Sequence, residues 1–118
     1  MNIHRIGVGP RMSQAVVHGD TIYLAGTVAD KMAGKSVAEQ TREILSLIDD
    51  VLARAGSDKT KILSATIWLT DIKTFAEMNS VWDAWVPQGH TPARATVEAK
   101  LAAAPYNVEI ACIAAKLV

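Results

Sequence analysis

TPARATVEAK, Thr91 to Lys100, and NVEIACIAAKLV, Asn107 to Val118, are the two stretches whose reading decides the fold. In the first, apolar and polar residues alternate, so a β-strand places Arg94, Thr96 and Glu98 on one face and Ala95, Val97 and Ala99 on the other. The second is mostly Val, Ile and Ala, which suits a strand buried on both sides, yet it carries Glu109 near its start. A carboxylate in such a strand calls for a partner or a task. Ala103, Ala104 and Pro105 mark a turn between the two runs, so the expectation is an antiparallel pair that brings Arg94 and Glu109 to the edge of one pocket.

Outward from this pair, the preceding segments alternate strand and helix. Phe75, Met78, Trp82 and Trp85 recur at helical spacing and are expected to face a sheet, with Thr74 and Glu77 at the spacing of a capping box. LSATIWL, Leu63 to Leu69, has the Thr, Ile and Trp content of a strand. The clearest helix opens at Ser36, which with Glu39 also has capping-box spacing, and stops at Gly56. Between them Val37, Thr41, Ile44, Leu45, Ile48, Val51, Leu52 and Ala55 form one apolar stripe, and Gln40, Arg42, Glu43, Asp49, Asp50 and Arg54 mostly lie off it, where solvation is expected. Ile3 to Val8, Ser13 to His18 and Thr21 to Ala25 read as strands, the last two joined by a turn at Gly19-Asp20. The order predicts an α+β chain: one mixed sheet with two helices on one face. Two helices cover only one side of a sheet, so the apolar residues on the other side predict a closed homo-oligomer with a pocket at its subunit boundary.

Composition narrows the function. The 118 residues are enough for one domain, 1–118, with a real core, and half of them are apolar. Twelve Lys and Arg balance twelve Asp and Glu, which argues against a nucleic-acid binder. No apolar run is long enough to span a bilayer, and MNIHRIGVGP lacks the hydrophobic core of a signal peptide, so the expected location is the cytoplasm. Cys112 is the single cysteine and reads as an inert core thiol; His4, His18 and His90 lack metal-ligand spacing, and no metal site is expected. The tryptophans read as core.

Together, YLAG at Tyr23 to Gly26, the helix from Gln40 to Gly56, AGSDK, ATIWL, MNSVWDAWV, PAR at Pro92 to Arg94 and VEI at Val108 to Ile110 resemble the RidA (YjgF) family, most closely its short YoaB-like branch. The resemblance runs from about Gly9 to the C-terminus. It implies a chorismate-mutase-like fold assembled as a homotrimer with pockets between subunits, and no metal or organic cofactor. The implied activity is hydrolysis of reactive enamines and imines, of the 2-aminoacrylate type, to a 2-keto acid and ammonia. Carried over by position, Arg94 would clamp the substrate carboxylate and Glu109 would orient the attacking water. The backbone at Thr96, where many relatives have cysteine, would help position the substrate, and Asn79 and Gly26 would line the pocket. Two positions depart from the family pattern: Met12 stands where many members have tyrosine and Ala25 where they have serine, so two pocket hydroxyls are missing. That departure favours an alternative, a non-catalytic trimer that binds a small carboxylate as a sensor or partner-protein regulator. Older family labels add a third reading, endoribonuclease or inhibitor of translation, which the neutral charge disfavours.

Overall fold

Short alternating runs and tight turns make three strands at the start of the computed structural model, which describes residues 2–117. They are β1 (Ile3–Ile6), β2 (Ala15–His18) and β3 (Thr21–Leu24). Gly19 supplies the positive φ, +62°, that the two-residue turn between β2 and β3 needs. Helix α1 (Val37–Arg54) begins as its capping box predicts: the Ser36 hydroxyl accepts the Glu39 N–H at 3.1 Å and donates to Glu39 Oε1 at 3.0 Å. Gly56, at φ +80°, follows its end.

Strand β4 (Ile62–Leu69), helix α2 (Phe75–Trp85), β5 (Ala93–Glu98) and β6 (Val108–Ala115) complete the chain. The six strands form one mixed sheet in the order β1-β2-β3-β6-β4-β5, with β4 and β5 parallel and every other pair antiparallel. The two helices pack together on one face, and Ile44, Leu45 and Ile48 of α1 close over Ile22, Ile67 and Ile110 of the sheet, all essentially inaccessible to water. The opposite face has no helix. It carries Tyr23, Val97 and Ile113, 46, 45 and 37 % exposed, among the small residues Ser64, Thr66 and Ala111.

Three expectations need correction. Strands β5 and β6 do not pair: β4 lies between them, parallel to one and antiparallel to the other. Nor does Thr74 cap α2, since its hydroxyl donates to the Asp71 carbonyl at 2.6 Å, inside a 3-10 turn over Ile72–Thr74 that leads into the helix. Glu77 instead reaches across to the start of α1 and accepts the Ala38 N–H at 2.8 Å, satisfying one of that helix's orphan donors. Finally, only Met78 and Trp82 of the predicted aromatic stripe are buried; Phe75 is exposed and Trp85 turns to donate its indole N–H to Asp49 on α1 at 2.9 Å.

Candidate functional site

Strand register decides where the candidate residues stand. Arg94 sits opposite Ala65, and Ala65 opposite Cys112, both buried beneath the helices, so Arg94 leaves the sheet on the helix side. Glu109 sits opposite Trp68, and Trp68 opposite Val97, which belong to the open side. Arg94 and Glu109 of one chain therefore lie on opposite faces. Three positions along β4 and two strand intervals separate them, roughly 10 Å by roughly 9.5 Å at standard spacings. They cannot border one pocket within a single chain.

The helix-side group is built on the last strand of the sheet and on α2. The Arg94 guanidinium lies 5.2 Å from the centre of the Trp82 ring and 5.7 Å from that of Phe75, and its Nη1 donates to Asn79 Oδ1 at 2.8 Å. Phe75, Asn79 and Trp82 follow one another at helical spacing, so a single stripe of α2 supplies the whole seat. Both rings lie within cation–π range and Asn79 takes one donor, which leaves other N–H groups for a carboxylate. Thr96, two residues on and on the same face, has a buried hydroxyl with no hydrogen-bond partner among the described residues. An unpartnered buried hydroxyl costs free energy.

The second group gathers around Glu109. Past β3 the chain is joined to β6 by an isolated bridge between Thr27 and Ile110, which lays Gly26 against the Glu109 side chain. A Cβ on Gly26 would collide with Glu109 Oε2 and come to 3.0 Å from Cδ, so the carboxylate occupies room that only glycine leaves. Ala25 is held by its N–H to the Gln14 carbonyl at 3.0 Å, and Met12, 56 % exposed, closes a turn in which its carbonyl accepts the Gly9 N–H at 2.8 Å. Met12, Ala25 and Gly26 border a cleft of about 360 Å3 whose wall includes Leu47 and Val51 of α1. The seven candidates thus separate: Asn79, Arg94 and Thr96 lie on the helix side, Gly26 lies against Glu109, and Met12 and Ala25 share with Gly26 a cleft that Glu109 does not line.

The other candidates fall away from both. A cleft of about 390 Å3 between α1 and α2, beside Lys59 and Trp85, contains none of these seven. His90 sits in an exposed turn, its N–H donated to the Pro87 carbonyl at 3.0 Å. Burial pushes the Cys112 thiol up to about 12, so it stays protonated and unreactive at neutral pH, as its apolar strand predicts. Among the described residues no three His, Cys, Asp or Glu side chains gather as metal ligands. Among the described residues no helix is long and apolar enough to cross a membrane.

Sequence reasoning missed three contributors. The roles of Phe75 and Trp82 as the seat of Arg94 were signalled only by Asn79 lying between them on one helical stripe. Gln40, expected among the solvated residues of α1, is fully buried: it donates to the Lys35 and Pro105 carbonyls at 3.0 and 3.1 Å and accepts the Asn107 N–H at 2.9 Å, two residues before Glu109.

A six-stranded mixed sheet with two helices on one face and an arginine on its last strand defines the class, and comparison with known proteins places it. The family model described as Endoribonuclease L-PSP matches residues 3–116. The chain belongs to this family, the RidA or YjgF family, in its YoaB-like branch. It is 46 % identical over 114 residues to a RutC family protein of Haemophilus influenzae, covering 97 % of this chain and 98 % of that one. Identity to RutC family protein YoaB of Escherichia coli is also 46 %, over 115 residues, 98 % of this chain and 99 % of the other. A crystal structure of a YjgF family member from Neisseria meningitidis superposes with a TM-score of 0.97 at 47 % identity, covering 100 % of this chain and 98 % of that one. A more distant relative in Bos taurus, 36 % identical over 112 residues, 91 % of this chain and 80 % of that one, is named 2-iminobutanoate/2-iminopropanoate deaminase.

Proposed function

We propose that this protein hydrolyses 2-imino acids, and the enamines that tautomerise to them, to 2-keto acids and ammonia. The observation that carries the reading is Arg94: a guanidinium seated on two aromatic rings, fixed by Asn79, with other N–H groups left for a carboxylate and the unpartnered hydroxyl of Thr96 two residues on. The name of the bovine relative supports the same chemistry.

In the proposed reaction the substrate carboxylate lies on Arg94 and the imine carbon faces a water held by Glu109. Water oxygen bonds to that carbon and the C=N π bond opens while Glu109 takes a water proton and passes it to nitrogen; the resulting hydroxyl then gives its proton, again through Glu109, to the amino group, the C–N bond breaks, and ammonia leaves as the carbonyl forms. The imine carbon is already electrophilic, so positioning supplies much of the acceleration and the step needs no cofactor. Because Arg94 and Glu109 leave one chain on opposite faces, the working site combines Arg94, Asn79 and Thr96 of one subunit with Glu109, Gly26, Ala25 and Met12 of the next. The open sheet face, with Tyr23, Val97 and Ile113, supports a homotrimer built by packing three such faces together. The proposed setting is the cytoplasm.

Met12 and Ala25 offer no hydroxyl to the Glu109 half, and this favours one alternative, a trimer that binds a small carboxylate without turning it over. A coupled assay separates the two: 2-aminoacrylate is generated from serine by a pyridoxal-phosphate enzyme and its decay followed with wild type and Arg94→Ala. Faster decay that is lost in Arg94→Ala is the expected result. Equal decay with and without the protein, alongside saturable binding of pyruvate, would replace the hydrolase with the binding trimer.

A further inference from the structure

Resting on the hydrolase reading, we infer that the site selects 2-imino acids with bulky apolar side chains, of the leucine or phenylalanine type, over the methyl-bearing alanine type. The two aromatic rings under Arg94 differ in a way that bears on this. Trp82 is 5 % exposed and serves only as a seat, whereas Phe75, its ring centre 5.7 Å from the guanidinium carbon, is 40 % exposed. A carboxylate held on the free N–H groups of Arg94 therefore has open aromatic surface beside it. Ile72, in the turn before α2, is likewise exposed, at 43 %.

The segment that carries Gly26 against Glu109 adds an apolar portion of its own, on the α1 side of the sheet end. Met12 presents an exposed, flexible thioether, Ala25 a methyl group, and the cleft they border continues to Leu24, Val28, Leu47 and Val51. Gln14, Gly26, Thr27, Asp30, Asp50 and Arg54 complete that cleft, which Glu109 does not line; Arg54 donates to Gln14 through a 2.6 Å hydrogen bond and the Thr27 hydroxyl to the Ala25 carbonyl at 3.4 Å. On the Arg94 side, the Thr96 hydroxyl is buried and unpartnered among the described residues. A small side chain would leave Phe75 and Met12 wet; an isobutyl or benzyl group would cover them. In an apolar pocket each added methylene changes specificity by roughly tenfold or more, and partial enclosure lowers that figure, so the three carbons separating a leucine from an alanine side chain predict at least about tenfold.

The test compares imines made in situ from leucine and alanine by an amino-acid oxidase, with kcat/KM read from keto-acid release. The expected leucine-to-alanine ratio is about ten or higher in the wild type, falls towards one in Phe75→Ser, and is largely kept in Phe75→Leu. A wild-type ratio of one or below, or a ratio unmoved by Phe75→Ser, would overturn the inference while leaving the hydrolase intact. Failure to accelerate either imine would overturn both. Titration of the wild type with 4-methyl-2-oxopentanoate and with pyruvate gives a reading that needs no variant: at least tenfold tighter binding of the former is expected, and equal binding contradicts the inference.

Discussion

The Glu109 carboxylate lies in the space that a side chain on Gly26 would fill. Gly26 is not among the residues at positive φ, so its backbone accepts alanine, and the obstacle is the far end of a flexible side chain. Gly26→Ala should therefore leave the melting temperature within a few degrees of wild type and displace the carboxylate from the place where it is proposed to orient water. The expected outcome in steady-state kinetics is a fall in kcat of roughly tenfold to a hundredfold with KM little changed, since the Arg94 clamp is untouched.

Replacing Arg94 by lysine separates charge from shape. The ammonium keeps the positive charge but cannot hold Asn79 and offer two parallel donors to a carboxylate at once. A drop in kcat/KM of about a hundredfold, nearly as deep as that of Arg94→Ala, is expected; recovery to within about threefold of wild type would mean that charge alone suffices.

Gln40 governs stability. Gln40→Leu keeps the volume and strands the Asn107 N–H and the Lys35 and Pro105 carbonyls, three backbone groups that the carboxamide now satisfies. Urea unfolding should show a loss of about 2–4 kcal/mol, against about 1 kcal/mol or less for Glu77→Ala, whose hydrogen bond to Ala38 is exposed.

Cys112 predicts a pH dependence. Its thiol is pushed by burial from 9.0 to about 12, so the folded state keeps a proton that the unfolded chain loses. The term leaves stability unchanged below about pH 9 and removes it as pH rises from there towards 12, by at most about 1.4 kcal/mol per pH unit. Urea midpoints for wild type and Cys112→Ala at about pH 8 and about pH 10.5 should converge at the higher pH; parallel losses would contradict the buried thiol as the cause.

The contrast between α1 and the two final strands shows what the sequence makes legible. Helix α1 announces itself because its cap, stripe and stop are all local, and Ser36, Glu39 and Gly56 sit where those signals predict. β5 and β6 were equally legible as strands, but their pairing was not: alternation says which residues share a face, not which strand is the neighbour, and β4 enters between them from earlier in the chain. Gln40 was missed because its partners at Lys35, Pro105 and Asn107 converge only after folding. Arg94 and Glu109 were singled out by residue type in strand context and by the family pattern; their placement on opposite faces required the register.

That placement gives the most direct test of the proposed two-subunit site. Arg94→Ala and Glu109→Gln, each inactive alone, are unfolded together in equal amounts and refolded as mixed trimers. If each site takes Arg94 from one chain and Glu109 from its neighbour, random mixing leaves about one site in four with both groups intact, and activity should return to about a quarter of wild type. No recovery, with mixed trimers demonstrated by mass, would contradict a site shared between subunits.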